Sequence, residues 1–266
     1  MMRLNYRSQV AVLATGLVLA CASQTLAADM AMDEDVVVFE ETAPGWSFAI
    51  APYFWMAGMK GNIAEFGAPP VSVDVPFSDI LDSLDFAAMV VAEARYDRFS
   101  VFSDFLFLKM SPEAVTPFGV IANTVQLTSK TMEFTAMGGY ALIDTPGGRL
   151  DVVAGARVWW VENRISFQGG VLNGLAREDS NTWIDAMAGV RGRANLTDNV
   201  FLTGWALGGG GSSESAWDVM GGIGYEFNDR FSAVLGYRAM GVDYQDGAFL
   251  FDVTMQGPIL GAVLRF

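Results

Sequence analysis

From Trp46 to Phe266, apolar and polar side chains alternate with a period close to two, in long runs broken by turn residues. That period predicts strands whose two faces meet different surroundings. In 182–196, Ile184, Ala186, Ala188, Val190, Gly192 and Ala194 share one face, against Asp185, Met187, Gly189, Arg191, Arg193 and Asn195. In 149–163, Leu150, Val152, Ala154, Ala156, Val158 and Trp160 oppose Asp151, Val153, Gly155, Arg157 and Trp159. In 215–227, Trp217, Val219, Ile223, Tyr225 and Phe227 oppose Asp218, Met220, Gly222, Gly224 and Glu226. Ten strands are predicted, at 46–58, 84–96, 99–110, 123–143, 149–163, 182–196, 200–210, 215–227, 231–243 and 249–266, with eight or twelve as the alternative counts. In the last of these the apolar phase slips, from Phe249, Phe251, Val253 and Met255 to Leu260, Leu264 and Phe266. A β-bulge at Gln256-Gly257-Pro258 would account for the slip.

A strand with one oily and one charged face suits a wall between lipid and a polar interior. Mean hydropathy is positive, yet beyond the first residues no apolar run approaches the roughly 20 residues that a membrane helix needs. Short polar turns at 97–98, 144–148, 197–199 and 228–230 alternate with longer links at 59–83, 111–122 and 164–181. Short turns on one side and longer loops on the other are the habit of outer-membrane barrels. The fold expected is therefore all-β, a transmembrane antiparallel up-and-down β-barrel of about ten strands. A soluble barrel would also alternate, but with its apolar face inside. The final residue, Phe266, is an aromatic on the apolar side of a strand where loose polar residues are usual. It is read as an assembly signal for the barrel-assembly machinery.

The beginning of the chain fits this destination. Arg3 and Arg7 precede an apolar core at Val10–Ala22, and Thr25 with Ala27, or Leu26 with Ala28, offers a cleavage pattern. Residues 1–28 are expected to be a cleaved signal peptide, 29–45 an acidic, flexible periplasmic lead-in, and 46–266 the barrel. The single cysteine, Cys21, falls in the signal, and Leu19 suits a lipoprotein site poorly. Cleavage removes two arginines and no acid, which lowers the net charge from −14. Such an acidic chain has no affinity for nucleic acid phosphates. The expected setting is the bacterial outer membrane, as a monomer, with membrane lipid and lipopolysaccharide as partners.

The chain contains no histidine, which excludes Ser–His catalysis and imidazole metal sites. Neither a catalytic residue nor a cofactor is expected, and no metal site. Lys60, Lys109 and Lys130 fall near outer strand ends. Asp79, Asp82 and Asp85 do not match a calcium loop, and Ser78 is expected to cap a short helix bearing Phe77, Ile80, Leu81 and Leu84, a lid or plug for the barrel mouth. The face opposite the apolar one carries Glu93, Arg95, Asp104, Glu133, Asp151, Arg157, Asp185, Arg191, Arg193, Asp218, Glu226, Arg238 and Arg265. Acids and bases nearly balance there. A narrow barrel must pair its buried charges, since an isolated one costs several kcal/mol, so the balance predicts a paired, largely closed lumen. A selectivity filter, the rival reading, would use Arg157, Arg191 and Arg193 opposite Asp151 and Asp185. Tryptophans 46, 55, 159, 160, 183, 205 and 217 and tyrosines 53, 96, 140, 225, 237 and 244 are read as interfacial girdles.

Several stretches resemble an uncharacterised family of small Gram-negative outer-membrane barrels, OmpW/OmpA-like in general architecture. They are Trp183-Ile184-Asp185 leading to Gly189-Val190-Arg191-Gly192-Arg193, then Leu196-Thr197-Asp198, Gly224-Tyr225, Asn228-Asp229-Arg230, Leu235-Gly236-Tyr237-Arg238, Val242-Asp243-Tyr244 and Gly257-Pro258. Ala51-Pro52-Tyr53-Phe54-Trp55 and Phe77-Ser78-Asp79-Ile80-Leu81 belong with them. The resemblance implies a barrel and says little of activity. Three roles are carried forward: a structural or surface-interaction barrel with a closed lumen, a narrow channel for small or apolar solutes, and, weakest without histidine, a lipid-modifying enzyme.

Overall fold

The computed structural model describes residues 45–115 and 123–266. The expected signal peptide, the acidic lead-in as far as residue 44 and much of the link at 111–122 lie outside the described residues. In chain order the elements are β1 (Trp46–Trp55), β2 (Gly58–Ala64), β3 (Val71–Val75), α1 (Phe77–Asp82), β4 (Leu84–Tyr96), β5 (Phe99–Met110) and β6 (Glu113–Val115). There follow β7 (Thr124–Thr145), β8 (Gly148–Gln168), β9 (Ala176–Asn195), β10 (Val200–Gly211), β11 (Ser215–Glu226), β12 (Phe231–Asp246) and β13 (Phe249–Arg265).

Ten of these strands close a ring in the order β1-β4-β5-β7-β8-β9-β10-β11-β12-β13, and β1 pairs back onto β13. Every pairing is antiparallel. Closure leaves no open edge, the condition for a sheet to sit in hydrocarbon. The ten are the ten read from the alternation. β8 and β9 run further than expected, to Gln168 and from Ala176, and so turn most of the 164–181 link into hairpin.

The orientation of the faces decides between the two barrels that alternate. Ile184, Val190, Val219, Leu235 and Leu264 are 41–57% exposed on the outside. Asp104, Glu133, Asp151, Arg157, Asp185, Asp218 and Arg238 are fully buried within. This is the reverse of a water-soluble barrel and matches a lipid-facing one. At the end that carries the short turns, Trp46 packs on Tyr96 (5.2 Å between centroids), Phe99 on Tyr140 (5.3 Å) and Tyr225 on Phe227 (5.1 Å), all exposed. These form the girdle. Trp55, Trp159, Trp183, Trp205 and Tyr244 do not join it; they are buried inside the barrel, because their parity within each strand is opposite to that of the oily face.

The predicted bulge in the last strand is also overturned. β12 and β13 pair without interruption from Asp246↔Phe249 to Phe231↔Leu264. Phe249, Phe251 and Val253 point inward on the same parity as Ile259. The apparent slip is a change on the outer face, which carries Asp252, Thr254 and Gln256 towards the loop end and Leu260 and Leu264 towards the turn end. Across the seam β1 and β2 keep one register against β13 and are separated only at Met56 and Ala57. β1 pairs with Ile259–Arg265 and β2 with Leu250–Gln256. Between them Met56 N–H donates to Pro258 O (2.8 Å), and a Cβ on Gly257 would fall 1.9 Å from Met56 O. Only glycine permits that approach.

The 59–83 link contains a hairpin that the alternation did not reveal. β3 pairs only with β2, and the turn that follows β2 reaches another wall. Phe66 N–H donates to Asp179 Oδ2 (3.0 Å), the Asn163 amide donates to Glu65 Oε1, and the Arg177 guanidinium lies 5.8 Å from the Phe66 ring. Those partners belong to β8 and β9, whereas β2 hangs on β13. In the ring β8 stands five strands from β13 in either direction, so the hairpin spans the loop-end mouth. Helix α1 does not serve as the plug expected of it. None of its residues is buried, and its N-cap is Pro76, not Ser78, whose hydroxyl donates instead to Asp79.

Candidate functional site

The inward faces bring the predicted charges into tiers. Asp218 on β11 holds the central one. It accepts from Arg157 Nη2 (2.6 Å), Arg238 Nη2 (2.8 Å) and Nε (3.1 Å), and Trp205 Nε1 (2.9 Å). Arg238 also donates to Asp104 Oδ2 (2.7 Å) and to the Tyr53 hydroxyl (2.9 Å), and Tyr53 donates to Asp104 Oδ1 (2.8 Å). Arg157 Nε donates to Thr135 (2.7 Å) and lies 3.0 Å from Glu133. β12 and β5, which carry Arg238 and Asp104, are four strands apart along the shorter arc. These side chains therefore reach through the lumen rather than along its wall. Both guanidiniums are buried and bonded to acids on two sides, as charges in low dielectric require.

Towards the turn end lies a second tier. Glu93 pairs with both Arg95 and Arg191, Arg95 reaches Asp151 (2.5 Å), and Arg149 lies 3.3 Å from Asp151 and 3.0 Å from Asp144. At the rim Glu226 is shared by Arg193 (3.0 Å) and Arg265 (2.9 Å). Towards the loop end the interior turns aromatic. Trp183 stacks on Tyr244 (4.2 Å, 5° between planes) and on Trp159 (5.8 Å), with Phe249 and Phe251 beside them. Asp185 sits at this end and accepts from the Ser213 backbone and hydroxyl, both at 2.8 Å.

The five residues proposed for a filter are thus divided. Arg157 belongs to the central tier, Arg191 and Asp151 to the second, Arg193 to the rim and Asp185 to the loop end. They share parity, and Arg157 lies in register with Asp185 and Asp151 with Arg191, yet each bonds to a different partner, which a list of inward positions does not register. Lys60, Lys109 and Lys130 pair locally with Asp74, Asp85 and Glu162. Among the described residues no group of three or more His, Cys, Asp or Glu is placed to hold a metal ion. Phe266 lies exposed at the seam, where its N–H donates to Phe48 O (2.9 Å).

Sequence reasoning missed Tyr53, Thr135, Trp205 and Arg149 as members of the network. The signal was available. Thr135 lies on the parity of Glu133, and Arg149 on that of Asp151 and Arg157. Residue type alone assigns Trp205 and Tyr53 to the girdle, whereas both bond to the central tier.

No family model matches the sequence, and no curated protein matches it. Solved structures of similar fold include the outer membrane protease OmpT of Escherichia coli, with 10% identity, a TM-score of 0.48 and coverage of 84% of this chain and 97% of that one. The translocator domain of the autotransporter NalP from Neisseria meningitidis has 14% identity, a TM-score of 0.49 and coverage of 96% of each chain. The attachment invasion locus protein Ail of Yersinia pestis has 15% identity, a TM-score of 0.36 and coverage of 84% and 99%. The class rests on the barrel's own geometry: a closed antiparallel ring of ten strands, apolar outside and ionic within. That is the architecture of an outer-membrane β-barrel.

Proposed function

We propose that this chain is an integral outer-membrane barrel with a charge-paired, closed lumen, acting as a structural or surface-interaction element. The observation that carries the reading is Asp218, which binds Arg157 and Arg238 at the barrel centre while both guanidiniums continue to acids on β7 and β5. Replacing these contacts with a water column would cost several kcal/mol per ion unless water resolvated each charge in full. The aromatic stack and the β2–β3 hairpin lie on the loop-end side of this ionic layer, so three successive obstacles occupy the axis. Outer-membrane lipid and lipopolysaccharide are the proposed surroundings, and Phe266 the proposed signal to the assembly machinery.

Planar-bilayer conductance of the refolded mature chain tests the closed lumen. The expected record shows no stepwise current. Stable steps whose size changes on replacing Arg191 or Arg193 would establish the narrow-channel reading instead.

A further inference from the structure

The lumen is balanced in total but not along its axis. The central tier holds Asp104, Glu133 and Asp218 against Arg157 and Arg238. The turn end reverses this, with Arg95, Arg149, Arg191, Arg193 and Arg265 against Glu93, Asp144, Asp151 and Glu226. The excess cation has a definite place. Arg193 and Arg265 both contact the same oxygen, Glu226 Oε1. A single carboxylate therefore serves two guanidiniums, and Arg265 Nη1 is buried without a well-formed hydrogen bond.

These two arginines stand at the mouth of a cavity of about 380 Å³ that opens at the turn end. Its lining combines apolar side chains, among them Val91, Trp205, Met220, Val234, Ile259 and Val263, with the second-tier ions Glu93, Arg95, Asp151 and Arg191. Tyr53 and Trp205, which donate to Asp104 and Asp218 of the central tier, also line it. A pocket with a largely apolar lining and two arginines that share one carboxylate has the polarity of an amphiphile with a negative head. Its size falls at the small end of ligand pockets. Guanidinium forks are matched to carboxylates, and arginines outnumber acids along this lining, so its net charge favours an anion.

We infer that the turn-end vestibule is a binding site for a single-chain carboxylate amphiphile, its tail against Trp205 and Met220 and its head on Arg193 and Arg265. An inorganic anion would satisfy the arginines but leave the wall exposed to water. A neutral alcohol would cover the wall but not the charge. The observations favour a ligand that does both.

The test is isothermal titration of octanoate into the refolded chain in lipid nanodiscs, with empty nanodiscs subtracted. Saturable one-site binding is expected, with 1-octanol and inorganic phosphate at least tenfold weaker. The double variant Arg193→Gln/Arg265→Gln should weaken octanoate at least tenfold. Glu226→Gln, which frees both guanidiniums, should tighten it several-fold, so one variant moves affinity in each direction. Heat-modifiable migration verifies that each variant folds. Absence of saturable heat, equal affinity for octanol, equal affinity for phosphate, or weaker binding by a folded Glu226→Gln variant would each overturn the assignment. The readout is the same whether or not the barrel conducts.

Discussion

At the scale of single residues, the exchange between Asp218 and its arginines is the contact on which most depends. Asp218 neutralises two buried cations at once, and among the described residues each cation pairs with one other acid: Glu133 for Arg157, Asp104 for Arg238. Asp218→Ala leaves two buried guanidiniums sharing less charge than they need, and removes the acceptor of Trp205 Nε1. Breaking a buried pair from one side costs about 3–5 kcal/mol, and that loss is expected in the urea midpoint of the refolded protein. Lys60 and Asp74 make the contrasting case. Both side chains are about two-thirds exposed, and exposed pairs contribute on the order of 0–1 kcal/mol. Lys60→Ala should therefore leave the midpoint nearly unmoved. An equally small change in both variants would show that the central tier is wet and its charges screened.

At the scale of elements, the β2–β3 hairpin carries a titratable latch. Burial against the far wall is the main cause that pushes the Glu65 carboxyl up to about 7, helped by Asp179 and opposed by the hydrogen bond from Asn163. Arg177, over the Phe66 ring, is the cation at the same contact. The raised value means that the docked hairpin holds a proton which the free hairpin has already lost above about 4.5. Docking is then firmest below that pH, weakens as pH rises, and settles at its weakest above about 7. Hydrogen exchange at the Phe66 amide, which donates to Asp179, should accelerate across that window beyond its intrinsic pH dependence. Glu65→Gln should abolish the excess. A wild-type profile that tracks the intrinsic rate would sink the latch. This hairpin is also where the sequence was least legible. The ten wall strands declared themselves because lipid outside and charge inside force strict alternation. β3 is a short strand with β2 alone as partner, after Pro69-Pro70, and no membrane face writes its pattern. The inward charges were legible by parity alone. Their grouping was not, because height along the axis depends on stagger between strands, and residues as distant as Arg95 and Asp151 meet only through it.

At the scale of the whole molecule, everything turns on which solvent the outer surface meets. Val219 supplies a sharp probe. It follows Asp218 in β11, so it stands on the outer face at the height of the central ionic tier, and it is 48% exposed. If acyl chains surround the barrel, Val219→Arg puts a charge into hydrocarbon, away from the girdle at the turn end. Such a change costs about 2–4 kcal/mol near the middle of a bilayer, falling towards the interfaces. The same substitution on a surface bathed by water is worth within about 0.5 kcal/mol. Urea-driven refolding into phospholipid vesicles measures the difference directly. A loss in the first range is expected for Val219→Arg. The loss should shrink for Phe227→Arg, at the turn beside the exposed aromatic girdle. Depth is the variable that a membrane imposes and water does not. If the two variants lose the same small amount, the apolar outer surface faces something other than a bilayer, and the outer-membrane reading falls with it.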